Sequence, residues 1–261
     1  MKKLLCCSCG LLLTTVGLRA TPLFSDNFDS YSGTLAGQGT WVQNGSSAVT
    51  PIQVTGGKAM IGSSGQDLNA PITPNYNLVD GTPFYIGATI NLSAAQTSGD
   101  YFLHWSPATG SSSFLSRLFA KSTTGGYLLG YVETAGGAVV SYGTTTLSLN
   151  QDYRVVIAYN PVAGALNDTA SVYVDPISYG SEGANTPYVT KSWTSTIAES
   201  TVLGAINLRQ GSATAAPTLS LDDLVVSTAF GDMQVVTVPE PCTASLVGLG
   251  LLAGTLIRRR K

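Results

Sequence analysis

The sequence predicts an all-β body, an antiparallel two-sheet sandwich or jelly roll, set between two short apolar ends. Three observations predict it. Between residues 21 and 238 no segment keeps apolar side chains at i, i+3, i+4 and i+7 over a dozen positions. Short stretches rich in Val, Ile, Tyr and Thr recur instead, cut by Gly, Ser, Thr and Pro. All four cysteines (Cys6, Cys7, Cys9, Cys242) lie outside that span, so no disulfide can staple it. A chain of this size buries roughly 70% of its unfolded surface, which lets one core suffice. No repeat of 20–50 residues stands out, which disfavours a solenoid or propeller.

In order, 23–28 reads as a first strand, followed by a glycine-rich turn and Trp41, which reads as core. Residues 52–55 and 58–61 flank Gly56-Gly57, a pair able to adopt the positive φ of a tight hairpin. Residues 62–83, with Pro71, Pro74 and Pro83, read as loop. Strands follow at 84–91, 100–105, 115–122, 127–133, 138–142 and 144–149. The clearest hairpin joins 152–159 to 169–174 across Pro161, Gly164, Asn167 and Asp168. Residues 201–208 and 218–227 close the body. About a dozen closely spaced strands in one cysteine-free unit give two packed sheets.

Charge is unevenly divided. The whole chain carries a net −2, yet seven of its thirteen basic residues sit in the two ends. Residues 21–238 keep fourteen acids against six bases (Lys58, Arg117, Lys121, Arg154, Lys191, Arg209), a net −8. Such a body repels nucleic acid and excludes it as a partner.

The ends read as targeting segments. Lys2 and Lys3 precede an uncharged, mostly apolar run at 4–18, the order of a secretory signal handled by the Sec translocon, with cleavage expected after Ala20. At the other end Pro239-Glu240-Pro241 is followed by sixteen uncharged residues, 242–257, and then Arg258-Arg259-Arg260-Lys261. A helix of that length reaches roughly 24 Å, short of the ~30 Å hydrocarbon core. It suits a transient stop, with the four cations held cytoplasmic. Signature, weak span and basic tail together resemble the PEP-CTERM sorting signal. The resemblance covers the last 23 residues. It implies recognition, and cleavage near Pro239-Glu240-Pro241, by an exosortase in the inner membrane of a Gram-negative-type bacterium. Release to the cell surface or an exopolysaccharide-rich matrix or biofilm would follow. The expected divisions are therefore signal peptide 1–20, sandwich 21–232, linker 233–238 and sorting signal 239–261.

Three stretches of the body carry a second resemblance. They are Ser25-Asp26-Asn27-Phe28-Asp29, the 152–157 and 169–176 hairpin, and Leu219-Ser220-Leu221-Asp222-Asp223-Leu224. Together they resemble concanavalin A-like (laminin-G-like) sandwiches and jelly-roll carbohydrate-binding modules. In those modules an acid near the first strand and one on the last often share a structural calcium. The resemblance thus implies Asp26 or Asp29 with Asp222 or Asp223 as oxygen ligands. The alternative for these acids is turn capping and solvent exposure. A saccharide site would use an aromatic platform. Trp105, beside a Ser-Pro-Ala-Thr-Gly loop, and Trp193 are the candidate platforms if exposed at sheet ends, with packing in the core as the favoured alternative for each.

No familiar catalytic motif stands in the sequence, although paired acids on distant strands can still meet in space. There is no Glu-x-Asp-x-Glu strand and no Gly-x-Ser-x-Gly elbow. Asp222 and Asp223 are adjacent on an expected strand, and strict alternation would send them to opposite faces. The single histidine, His104, reads as structural, and with one His and no Cys in the body a zinc site would need an unusual carboxylate-heavy shell. The expected function is therefore a non-enzymatic surface or matrix protein, with a carbohydrate-binding module as the alternative and a glycoside hydrolase behind both.

Overall fold

The computed structural model describes residues 21–45, 49–134 and 139–235. The expected signal peptide, the sorting residues Pro239, Glu240, Pro241, Arg258, Arg259 and Arg260, and the span 242–257 lie outside them. Among the described residues no helix is long and apolar enough to cross a membrane.

Among the described residues sixteen strands follow one another: β1 (Phe24–Asp26), β2 (Gly33–Thr34), β3 (Val42–Asn44), β4 (Gln53–Thr55), β5 (Lys58–Ile61), β6 (Asp67–Asn77), β7 (Phe84–Ala94) and β8 (Asp100–Ser106). The series continues with β9 (Leu115–Thr123), β10 (Gly126–Val132), β11 (Ser141–Tyr142), β12 (Asp152–Asn160), β13 (Thr169–Val174), β14 (Val189–Ser192), β15 (Val202–Leu208) and β16 (Thr218–Ser227). Two single 3₁₀ turns, Glu182–Ala184 and Phe230–Met233, are the remaining regular elements. The first sheet runs β14-β13-β12-β7-β16-β5-β4-β2, with β1 also on β16, and the second runs β11-β10-β9-β8-β15-β6-β3. Every pairing is antiparallel, so the expected two-sheet sandwich is the observed architecture.

The Gly56-Gly57 hairpin joins β4 to β5, with both glycines at positive φ (58° and 71°). Residues 152–160 and 169–174 pair as expected, Val155 opposite Val174 and Asn160 opposite Thr169. Two readings need correction. The stretch expected as loop contains β6, eleven residues that pair Leu68 with Leu208 and Ala205 with Pro71. Its other neighbour, β3, covers only Asp67, Leu68 and Asn69. Beyond Asn69 the strand is therefore an edge, where a proline forfeits no ladder bond. Conversely, 144–149 forms only an isolated bridge, Leu147 to Tyr127.

One apolar core lies between the sheets. Trp41 and Trp105 are fully buried in it, with Tyr127, Tyr131, Tyr159, Phe84 and Phe102. Phe84, Trp105 and Tyr159 form a mutual cluster with ring centroids 5.2–5.6 Å apart. Burying an indole of this size contributes about 5 kcal/mol of transfer free energy. Tyr131 shares a hydrogen bond with Ser116 and Tyr159 donates to Asp168, while the Tyr127 hydroxyl is buried without a partner.

The outer face of the first sheet is covered too. Tyr85, Val156, Tyr173, Phe230 and Met233 pack there, and Glu182 accepts from both Tyr85 and Tyr173 at 2.8 Å. Met233, expected to begin the linker, is fully buried, and its carbonyl accepts from Arg154 Nε at 2.8 Å. The body therefore extends past residue 232.

Candidate functional site

The residues expected to hold calcium gather along one edge without forming a cage. Strand β1 lies on β16 with Asp26 opposite Leu224. Asp26 Oδ2 accepts from Trp41 Nε1 at 2.7 Å, and its Oδ1 accepts from the Phe28 amide at 2.9 Å. Asp29 accepts from Asn27 Nδ2. The Asp222 carboxylate accepts from the Asp223 amide, and burial with the neighbouring charges of Asp223 and Asp29 raises its pKa. Asp223 adopts φ 48° and the β16–β7 register slips between Asp222 and Val225. Leu221 and Leu224 both reach the core, so the two acids leave the core face together. This bulge corrects the expectation of opposite faces. Among the described residues no three His, Cys, Asp or Glu side chains converge as metal ligands.

Beside this edge opens a cavity of about 660 Å³ whose walls include Asp26, Tyr31, Arg154, Asp223 and Asp232. Its polar groups are largely committed to the fold. Arg154 spans from Met233 O to Asp223 O, 2.8 Å each, and Asp232 accepts from Ser227 at 2.6 Å. Burial lowers the Arg154 pKa to about 10. The guanidinium acts as a strut between the bulge and the closing 3₁₀ turn.

The expected sugar platforms are corrected in their placement. Trp105 has no exposed surface and Trp193 is 6% exposed. Trp193 Nε1 donates to Ile197 O at 3.1 Å, which fastens it to its own loop. Neither offers a face on which a sugar ring could stack.

A different set of aromatic side chains occupies the outer face of the second sheet. Along β9, Leu118 and Ala120 enter the core while Arg117, Phe119 and Lys121 point the other way. Cross-strand register aligns Tyr101 with Phe119, Phe119 with Gly130, and Gly130 with Tyr142. A Cβ on Gly130 would sit 2.6 Å from Tyr142 Cδ1, so the missing side chain is the notch into which that ring settles. Tyr101 and Phe119 stand with centroids 5.3 Å apart.

Cations lie over these rings. The Arg209 guanidinium carbon is 4.1 Å from the Tyr101 centroid, Arg117 is 5.0 Å from the same ring, and Lys121 Nζ is 3.9 Å from the Tyr142 centroid. Such contacts are worth about 0.5–2 kcal/mol each and hold long side chains in place. Arg209 is anchored further by Asp100 Oδ2 at 2.7 Å and lies 4.0 Å from Asp67. Burial opposes its charge, but the hydrogen bond to Asp100 and the nearby acids prevail and raise its pKa. Arg117 donates to the Thr134 carbonyl and is otherwise less well provided: its Nε is buried without a partner, and burial lowers its pKa. His104 packs edge-on between Tyr101 and Phe114, both ring nitrogens unpartnered. Burial, then Arg209 and Arg117, lower its pKa to about 3, so it is neutral and no general base at neutral pH.

The alternation Arg117-x-Phe119-x-Lys121 was the sequence signal for this face. Nothing local tied it to Tyr101, Tyr142 and Arg209, which arrive by cross-strand register.

No family model and no curated protein matches the chain. Solved structures similar to it include the CBM2 module of the evolved Dit of Lactobacillus casei BL23 phage J-1, at 12% identity and TM-score 0.49, over 78% of this chain and 94% of that one. The potassium-bound Emp46p carbohydrate recognition domain is similar at 12% identity and TM-score 0.49, over 79% and 97%. A glycosyl hydrolase family protein from Mycobacterium fortuitum is similar at 11% and 0.46, over 79% and 100%. These are distant likenesses of backbone, and no function follows from them.

Proposed function

We propose that the body is a non-catalytic carbohydrate-binding module whose ligand lies across the outer face of the second sheet. The observation that carries this is the row Tyr101–Phe119–Gly130–Tyr142, overlaid by Arg117, Lys121 and Arg209. Polysaccharide sites join aromatic surface to fixed hydrogen-bond donors; here the half-buried Tyr142 supplies the first and the three cations, held over rings of a rigid sheet, supply the second. The structural matrix role expected first remains compatible, because a surface protein that grips a polysaccharide also organises it. The full-length protein should be retarded in native gels containing polysaccharide, and Tyr142→Ala should abolish the retardation. Unretarded migration on every polysaccharide tried would overturn the reading.

Delivery is part of the same proposal. The leader would pass the chain through the Sec translocon, and the Pro239-Glu240-Pro241 tail would present it to an exosortase-type enzyme. The inner membrane is then a transient stop on the way to the surface or matrix. An epitope placed after Lys261 should be missing from the surface-exposed form. Full-length protein persisting in the inner membrane of an exosortase-competent host would contradict it.

A further inference from the structure

From the same strip we infer the class of saccharide: an acidic polysaccharide, bound through its uronate carboxylates by Arg117 and Lys121. The inference rests on the carbohydrate-binding reading and deepens it. Three of the body's six basic residues lie on this one strip, although the body as a whole is net −8. The acids close to them are Asp100 and Asp67, and both are engaged by Arg209. Glu133, next along the chain from the strip's Val132, faces Lys191 at 3.8 Å and accepts from Thr194 and Ser195. Arg117 and Lys121 form no ion pair among the described residues.

The geometry adds a reason for an external anion. Arg117 and Arg209 both lie over the Tyr101 ring, so two guanidinium charges share one aromatic ring. Each disfavours the other's charge, and Asp100, which is hydrogen-bonded to Arg209 at 2.7 Å, favours Arg117 only through space. A carboxylate entering beside Arg117 would relieve that repulsion, and the planar guanidinium matches its two oxygens. Lys121, four residues along β9 on the same face, with Phe119 between, lies about 13 Å away. That spacing suits carboxylates carried by sugars a few residues apart on one chain.

Tyr101 and Phe119 are only 7% and 8% exposed, because other side chains cover them. A neutral sugar would find little bare ring to stack on, whereas an acidic one meets the covering cations first. Duplex nucleic acid, with one charge per about 1.7 Å, meets the net −8 of the body more strongly than a polyuronate with one carboxylate per sugar.

The test is affinity electrophoresis of the full-length protein at low salt on polygalacturonate, on alginate, and on the methyl ester of polygalacturonate. Retardation by either polyuronate but not by the ester is expected. In Arg117→Gln and Lys121→Gln the affinity for polyuronate should fall about tenfold each, the size of one lost charged hydrogen bond. Lys58→Gln, outside the strip, should change nothing, and unchanged melting temperatures would show that all three variants are folded. Equal binding to the ester, or binding to neutral glucan alone, would overturn the acidic class while leaving carbohydrate binding intact. Failure to bind any polysaccharide would overturn both.

Discussion

Trp105 and Arg117 show how far the roles of single residues can depart from their appeal in the sequence. Trp105 stands beside a loop, yet it contacts Phe84 and Tyr159 in the core. Trp105→Ala should cost about 3–5 kcal/mol by emptying that space. Polysaccharide affinity, measured on the protein that remains folded, should not change. Urea unfolding beside affinity electrophoresis checks both, and lost affinity in a folded variant would restore Trp105 to the site. The sequence could not show its burial because the β8–β9 register shifts twice, between Tyr101 and Leu103 and between Leu103 and Trp105. Simple alternation along 101–105 therefore misassigns faces. Arg117, by contrast, keeps a regular register with β10, opposite Val132, although Ser116 before it has φ 53°, and its alternation with Leu118 could be read directly. The missing information there was its lack of an acid partner, which only a three-dimensional arrangement can reveal.

At the scale of the element, strand existence was legible and the exceptions have physical causes. The hairpin β12–β13 and the Gly56-Gly57 turn follow from β-branched runs and turn chemistry. Strand β6 was hidden by Pro71 and Pro74, residues that forbid a central strand but not an edge. The Asp222–Asp223 pair misled in the opposite way, since one inserted residue returns both acids to the same side. That bulge leaves the expected calcium ligands bound to amides and to an indole. Chelator should therefore leave the melting temperature unchanged, and a rise of several degrees on adding calcium would contradict this account of the edge. Within the strip, Gly130 is the element-level test. Gly130→Ala places a methyl 2.6 Å from the Tyr142 ring and 2.8 Å from Val140 Cγ1. It should lift Tyr142, release Lys121 and weaken polyuronate binding several-fold, while Gly125→Ala, at the neighbouring turn, should destabilise without touching the strip.

For the whole molecule, buried titratable groups set the pH range of stability. His104 is held near pKa 3, below its unfolded value of about 6.5, so the unfolded chain takes up a proton that the native one refuses. Stability is therefore lost as pH falls from about 6.5, at up to about 1.4 kcal/mol per unit. Asp67, Asp168 and Asp222 act in the opposite sense. Burial raises their pKa values, so protonation near pH 4 favours the native state and flattens the lower part of the curve. Melting in His104→Leu should be nearly independent of pH between 6.5 and 5, where the unsubstituted protein declines. Identical slopes would contradict the buried, neutral histidine. At the alkaline end Tyr173 is raised to about 12 by burial and Glu182, and Tyr85, Tyr131 and Tyr159 are raised as well, chiefly by burial. Above pH 10 the unfolded chain ionises first, and the fold should lose stability steeply there.

The central claim is a location: the saccharide lies on the outer face of the second sheet and not in the cavity beside Asp26. Amide chemical-shift mapping of the full-length protein titrated with an oligogalacturonate tests it most directly. The account predicts the largest shifts at Tyr101, Arg117, Phe119, Lys121, Tyr142 and Arg209, with Asp26, Tyr31 and Asp223 unmoved. Shifts confined to the Asp26 edge would contradict it.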